Sequence, residues 1–301
     1  MERRLVVVGC GLVGSAIVRE ALVEVDRFSE IIVLSRSIPV EFIDDDRLSA
    51  GIGDVGSGDL DTVLRDGDIL VLAAGSPDPR CAPANVNRLL GPSALALTET
   101  IQTAAARKDL HIILVSSGGA VYGVRDEPVA ESQAIDPSSV YGAVKASEEC
   151  MLRPLQGLNG TQVTVVRAST VYGRRRIGFA GQGLVQLAID RVRSGDEITL
   201  FGQGLDRRGY LLDEDFGRLV VELATSEDLR FDTFNLCSGE VFTGAEVVKV
   251  VGQVLGQDPI IELQSGINHH IVLDTSRLKA QLPNFSFTPF RTGVEGLIEA
   301  A

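Results

Sequence analysis

The feature that most restricts this chain is a glycine turn close to its start. Leu5-Val6-Val7-Val8 is a β-branched, apolar run of the kind that forms a buried strand. Gly9-Cys10-Gly11-Leu12-Val13-Gly14 follows at once, then a helical pattern to residue 25 and a second apolar run over residues 31–34. Strand, glycine turn, helix and strand within about 30 residues is the setting in which Gly-x-Gly-x-x-Gly binds a dinucleotide. Each glycine has its own task. The first permits the tight turn, the second lets backbone approach a pyrophosphate, and the third lets helix and strand pack closely. The helix N-terminus offers free N–H groups and partial positive charge to the phosphates. Gly9, Gly11 and Gly14, with Leu12 and Val13 between them, are the first cofactor-binding candidates. The run from Glu2-Arg3-Arg4 through residue 18 has the outline of a secretory signal, with Gly9-Cys10 as a cleavage site. The glycine spacing explains the same residues as a phosphate turn, and that reading is preferred.

Further short apolar runs cover residues 69–73, 112–115 and 163–166, with helical patterns over 95–107 and 140–155. Strands alternating with helices predict an α/β fold, a Rossmann-type doubly wound parallel sheet. After residue 170 the alternation weakens, and Gly and Arg are dense from 173 to 183. The expected organisation is a dinucleotide-binding domain over 1–172 and a smaller α/β substrate lobe over 173–301, with some chain returning to the first domain.

Composition narrows the partners. With 28 Lys+Arg against 41 Asp+Glu the net charge is −13. This is the opposite of the basic footprint of a general nucleic-acid binder. No apolar stretch approaches the roughly 18 residues that a membrane helix needs. Cys10, Cys81, Cys150 and Cys237 show no metal-ligand spacing and read as reduced thiols of a cytoplasmic protein. His111, His269 and His270 likewise show no ligand spacing, and no metal is expected.

NAD is usually held by an acidic residue at the end of the second strand. Here the strand ends Leu34-Ser35-Arg36-Ser37, without a carboxylate. Arg36 suits a 2′-phosphate, with Ser35 and Ser37 as hydrogen-bond donors, so the cofactor is NAD(P) with a leaning to NADP. The chemistry points to Tyr141-Gly142-Ala143-Val144-Lys145, which sets a phenol and an ammonium at i and i+4 on one helix face. A tyrosine of ordinary pKa, about 10, is a poor base at neutral pH. A neighbouring lysine charge favours the phenolate, which then takes a proton from an alcohol while hydride leaves the same carbon, or runs the reverse. The strand over 112–115 leads into Ser116-Ser117-Gly118-Gly119 at the end of a parallel sheet where ligands bind, so a serine hydroxyl there would hold the substrate oxygen.

The ordered set of these motifs resembles the extended short-chain dehydrogenase/reductases, in particular the NAD-dependent epimerase/dehydratase family. The matching stretches are Gly9 to Gly14, Val71-Leu72-Ala73-Ala74, Ser116 to Gly123, Pro137 to Lys145 and Val166 to Gly173. Phe201-Gly202-Gln203-Gly204 with Arg208 and Asp215, and Phe234-Asn235-Leu236 with Ser238-Gly239, continue the likeness. The resemblance implies Ser117, Tyr141 and Lys145 as catalytic residues, with Lys145 also on the nicotinamide ribose. Ser116 remains the alternative to Ser117. It further implies Asp54 and Val55 near the adenine, Ala73, Ala74 and Val115 along the cofactor, and Thr170 and Arg208 on a nucleotide-sugar substrate. The implied activity is an NAD(P)-dependent epimerase of a nucleotide sugar, acting at C4, or a 4-keto-sugar reductase, in a homodimer. A reductase of a non-sugar carbonyl compound and a non-catalytic dinucleotide-binding protein are the rivals.

The chain also departs from the family pattern. The family's first glycine falls at Val8, its usual asparagine at Thr170, its usual proline at Arg174 and its usual aspartate at Gly209. A 4,6-dehydratase would carry an Asp-Glu pair where this chain has Gly118-Gly119, which argues against that elimination. Arg174-Arg175-Arg176 reads either as an attractor of a diphosphate or as a solvated run, and Asp44-Asp45-Asp46 as a solvated loop.

Overall fold

The computed structural model describes residues 3–300 apart from 25, 40–41, 43–44, 46, 54–57, 75–82, 126, 175–182 and 267. In chain order the first part comprises β1 (Arg3–Val8), α1 (Leu12–Val23), β2 (Phe28–Ser35), β3 (Leu48–Ile52), α2 (Asp59–Val63), β4 (Ile69–Leu72), α3 (Asn87–Ala105), β5 (His111–Ser117), α4 (Gly118–Val121), α5 (Val140–Leu152), β6 (Gln162–Ala168) and β7 (Thr170–Tyr172). There follow α6 (Leu184–Ser194), β8 (Ile198–Leu200), β9 (Arg207–Leu212), α7 (Asp213–Thr225), β10 (Thr233–Leu236), β11 (Val241–Thr243), α8 (Gly244–Leu255), β12 (Ile261–Leu263), α9 (Ser276–Gln281) and α10 (Phe290–Glu299).

Successive strand residues point to opposite faces of a sheet. In β1, Leu5 and Val7 enter one core with Ile17 and Val18 of α1 and Phe216 and Leu219 of α7. Val6 and Val8 enter the other, with Leu60 of α2, Leu97 of α3 and Leu152 of α5. A strand buried on both faces reads as a continuous apolar run, which is why these strands were legible. They form a seven-stranded sheet in the order β3-β2-β1-β4-β5-β6-β10, and every pairing in it is parallel. This is the expected doubly wound, Rossmann-type architecture. Beyond it lie smaller sheets, β7-β9-β11 and β8-β12, over a third core that includes Val185, Ile189, Val247 and Phe290. The chain after residue 173 contributes to both regions, because β10 pairs with β6 at the edge of the large sheet.

Local details differ from expectation for physical reasons. β3, with Ser49 and Gly51 in it, has little apolar signal and gains its structure by pairing with β2 at the sheet edge. The helix expected from residue 95 begins at Asn87, and Pro92 lies within it at the loss of one backbone hydrogen bond. α5 ends at Leu152, and a 3₁₀ turn over Arg153–Leu155 takes up Pro154, which has no N–H to donate.

Candidate active site

The strand order reverses between β1 and β4, and ligands of such sheets bind at the carboxyl ends of strands at that point. The glycine turn lies there. The Gly9 amide donates to the Leu34 carbonyl at 2.8 Å and the Ala73 amide to the Val8 carbonyl at 2.9 Å. Gly9 has φ +90°, in the left-handed region that favours glycine, and a Cβ on it would lie 2.5 Å from the Ala74 backbone. A Cβ on Gly14 would strike the Gly9 carbonyl oxygen, whereas one on Gly11 would meet nothing within 4 Å. Two glycines are thus sealed against protein, and the one assigned to a ligand faces open space. Gly11 is also the N-cap of α1 and brings no side-chain acceptor to the first-turn amides around Leu12 and Val13. This cradle fits a dinucleotide pyrophosphate.

At the end of β2, Ser35 Oγ accepts from the Cys10 amide at 3.2 Å and so braces the turn, while its O–H remains a donor. Arg36 and Ser37 are exposed just beyond it. Asp54 and Val55 lie outside the described residues.

The elements that carry the three proposed catalytic residues, β5, α4 and α5, meet at the carboxyl end of β5. Ser139 Oγ accepts from the Gly142 amide at 3.0 Å and fixes the first turn of α5, which carries Tyr141. Gly142 has no room for a side chain, because a Cβ there would meet the Ala120 carbonyl. That close approach brings the Tyr141 turn against α4, whose N-cap is Ser117. Lys145, one turn further along α5, is buried, and its Nζ donates to the Val115 carbonyl at 3.1 Å and to Glu148 Oε2 at 2.9 Å. Burial alone would lower the Lys145 ammonium, but Glu148 and then Tyr141 outweigh it and hold the pKa above the usual lysine value. Tyr141 and Ser117 are half-buried. Val115 therefore faces the site with a carbonyl that is already the acceptor for Lys145.

Ser116 does something different. Adjacent strand residues face opposite ways, and the Ser116 hydroxyl is buried and donates to Glu149 Oε1 at 2.5 Å. As a substrate-contacting residue it is contradicted; Ser117 is the hydroxyl left at the open end. Glu149 also receives the Arg167 guanidinium, at 2.7 Å to Oε2. Arg167 in turn donates to Tyr122 Oη at 2.7 Å, and Tyr122 Oη donates to Asn235 Oδ1 at 2.9 Å. The Asn235 amide donates to Glu131 Oε1 at 2.8 Å. This buried network joins α5, β6 and β10 beneath the site. Burial opposes the Arg167 charge, yet Glu149 holds it firmly protonated; burial likewise raises the Tyr122 phenol. Sequence reasoning passed over it. Its signal was an arginine within an apolar strand, two residues after Val165, and a pair of carboxylates following Lys145 on the same helix.

The substrate side is less convergent. Thr170 opens β7, half-buried. Arg208 on β9 is partly exposed, with Asp206 at 3.5 Å from its guanidinium. Arg174 pairs with Glu214 of α7 at 3.1 Å, so the one described member of the arginine run is already matched by a carboxylate. Arg175 and Arg176 lie outside the described residues, as do Asp44 and Asp46. His111 is buried, with Nε2 2.9 Å from Thr164 Oγ1 and Nδ1 3.3 Å from the Ala224 carbonyl. Burial lowers its pKa to about 4. His270 Nδ1 accepts from the Arg207 amide. Among the described residues no three His, Cys, Asp or Glu side chains group as metal ligands, and no helix is long and apolar enough to cross a membrane.

Comparison with known proteins agrees with this architecture. The chain is 28% identical over 193 residues to a dTDP-4-dehydro-6-deoxyglucose reductase of Escherichia coli, covering 63% of this chain and 60% of the relative. It is 31% identical over 120 residues to a UDP-glucose 4-epimerase of Mycolicibacterium smegmatis, covering 40% of this chain and 37% of the relative. The chain spans between 37% and 60% of the length of four curated relatives that it matches. Among solved structures, UDP-glucose 4-epimerase of Thermus thermophilus in complex with NAD superposes with a TM-score of 0.82 at 21% identity, covering 98% of each chain. The dTDP-glucose 4,6-dehydratase of Streptomyces venezuelae, with NAD bound, gives 0.86 at 22% identity, covering 98% of this chain and 96% of that one. These likenesses show the fold. Residues 5–237 match the family model described as the NAD dependent epimerase/dehydratase family. The chain belongs to that family.

Proposed function

We propose that this protein is an NAD(P)-dependent enzyme that epimerises a nucleotide-linked sugar at C4 or reduces its 4-keto form. The observation that supports this reading is the meeting of the end of β5, α4 and α5, which carry Ser117, Tyr141 and Lys145, together with an open glycine cradle. A bound nicotinamide dinucleotide would supply the acceptor and donor of hydride. Tyr141 Oη takes the proton of the sugar hydroxyl as the carbon is oxidised and returns it on reduction. Lys145, anchored by the Val115 carbonyl, places a positive charge next to that phenol. Ser117 holds the sugar oxygen by a hydrogen bond. Arg208 meets the substrate diphosphate, and Thr170 stands at the start of the neighbouring β7. The residues are read as a cofactor region over 1–172 and a mainly substrate-binding region over 173–301. Exposed Leu90 and Leu95 on α3 and Met151 on α5 support a homodimer through these helices. A reducing, cytoplasmic setting suits the free thiols Cys150 and Cys237.

The epimerase reading requires a retained cofactor; the reductase reading requires one exchanged every turnover. The missing carboxylate at the end of β2, with exposed Arg36 and Ser37, favours NADP and the reductase. The epimerase and dehydratase structures described with NAD lend no support to an NADP preference. Mass spectrometry of the natively purified protein separates the two readings. Retained NAD supports the epimerase; no retained nucleotide, with tighter binding of NADPH than NADH, supports the reductase. Tyr141→Phe is expected to lower turnover by about 10²–10⁴-fold while sparing dinucleotide binding. Near-unchanged turnover in that variant would falsify the mechanism.

A further inference from the structure

We propose that Glu148 is a positioning residue for Lys145. It holds the lysine beneath the end of β5 and offsets its charge, so that Tyr141 meets an ion pair and not a bare cation. The inference rests on the reading of Tyr141 as the acid/base. α5 carries two adjacent buried carboxylates, and they have different duties. Glu149 is taken by Arg167 and Ser116. Glu148, one turn after Lys145, lies with Oε2 2.9 Å from Nζ, and both side chains are buried. An ammonium has three donors. Val115 and Glu148 take two of them, which fixes where Nζ lies and leaves one for a ribose hydroxyl.

The surroundings leave Glu148 as the carboxylate set against this cation. On α5 itself the other ionisable groups acting on Lys145 are Tyr141 and Glu149. β6 contributes Arg167, which neutralises Glu149. The end of β5 offers carbonyls and the Ser116 hydroxyl, and α4 (Gly118–Val121) has no ionisable side chain. On α3, Glu99 is buried and accepts from the Leu60 amide; Arg153, following α5, is exposed. A close pair of opposite charges has a weaker and shorter-ranged effect on a third group than either charge alone. Removing the negative member therefore favours the phenolate of Tyr141.

The chain allows a direct test, because it has four tyrosines and no tryptophan. Tyr122, Tyr172 and Tyr210 are buried, and burial raises all three phenols. As the pH of the free protein is raised, the tyrosinate absorbance step that Tyr141→Phe abolishes belongs to Tyr141. In Glu148→Gln that step is expected about 1 pH unit lower. The alkaline limb of kcat/KM should move the same way, in oxidation and in reduction, because one phenol governs both. Glu148→Asp, which keeps the charge, should restore most of the original profile. A folded Glu148→Gln protein with its Tyr141-dependent absorbance step at the wild-type pH overturns the proposal. Should Glu148→Gln not fold, carbon NMR of the unaltered chain, with its four lysines, decides. Lys145 deprotonating last supports the proposal, and Lys145 deprotonating first refutes it. If Tyr141→Phe stays active while the absorbance step still moves in Glu148→Gln, the functional reading fails and this electrostatic one stands.

Discussion

At the scale of single residues, neighbouring side chains of one type have opposite uses. Ser116 is buried on Glu149, and Ser117 is the half-buried residue at the strand end. Ser116→Ala should lower stability by about 1–3 kcal/mol, since it strips a donor from a buried carboxylate. Ser117→Ala should leave the melting temperature unchanged and lower kcat. Equal melting temperatures for both variants would refute the assignment. His111 supplies a pH test. Its folded pKa is depressed to about 4 from 6.5, so its contribution is present above 6.5 and is lost as the pH falls toward 4. At 1.36 kcal/mol per unit this loss approaches roughly 3 kcal/mol. His111→Gln should therefore show a flatter dependence of melting temperature on pH between 6.5 and 4 than the wild type does. Ser116 and His111 were visible in the sequence as residue types. Which way each faces depends on partners 33 and 53 positions away, and no local pattern encodes that.

At the scale of elements, the β1–α1 unit separates folding from binding. A Cβ at Gly14 would overlap the Gly9 carbonyl, so Gly14→Ala should destabilise the protein by at least about 1–3 kcal/mol. Gly11 has an extended backbone at φ −77°, and a Cβ added to it would stand in open space, with nothing within 4 Å. Gly11→Ala should keep its melting temperature and lose affinity for the dinucleotide, measured by calorimetric titration. Equal affinity in Gly11→Ala would remove the pyrophosphate from this turn. Elements with dense apolar residues, such as β1, β4 and β5, were legible because burial on both faces demands them. β3 was not, because pairing with β2 stabilises residues whose own preferences are weak, and the early start of α3 was not, because Gly91 and Pro92 read as helix breakers.

At the scale of the whole molecule, a net charge of −13 surrounds the site proposed to receive phosphates. On that proposal helix α1 and Arg208 supply local positive potential within a repulsive field. Arg208→Gln should weaken binding of a nucleotide sugar about tenfold or more without altering the fold, and raised salt should lessen the difference between variant and wild type. Distant parts of the chain are also joined. Arg19 of the cofactor helix pairs with buried Asp213 at 2.8 Å, and Asp213 Oδ2 accepts from the Arg174 amide at 3.3 Å. Asp213→Ala removes the acceptor of both Arg19 and the Arg174 amide and should lower stability by chemical denaturation. Sedimentation equilibrium should give a particle of two chains; a single-chain mass would exclude the homodimer proposed for α3 and α5.

By itself the sequence determined the layered α/β plan, the glycine turn after β1, and the placing of Tyr141 and Lys145 one turn apart on one helix, because each follows from local rules. Apolar runs must be buried, a tight turn needs glycine, and a four-residue spacing shares a helix face. Tertiary structure alone decided that Ser116 belongs to the interior and that Ser35 braces the turn. It also tied Lys145 to Glu148 and gave Arg174 to Glu214. These assignments depend on which charged and polar groups meet in low dielectric. A buried charge takes whatever partner the packing brings to it, however far away in the chain that partner lies.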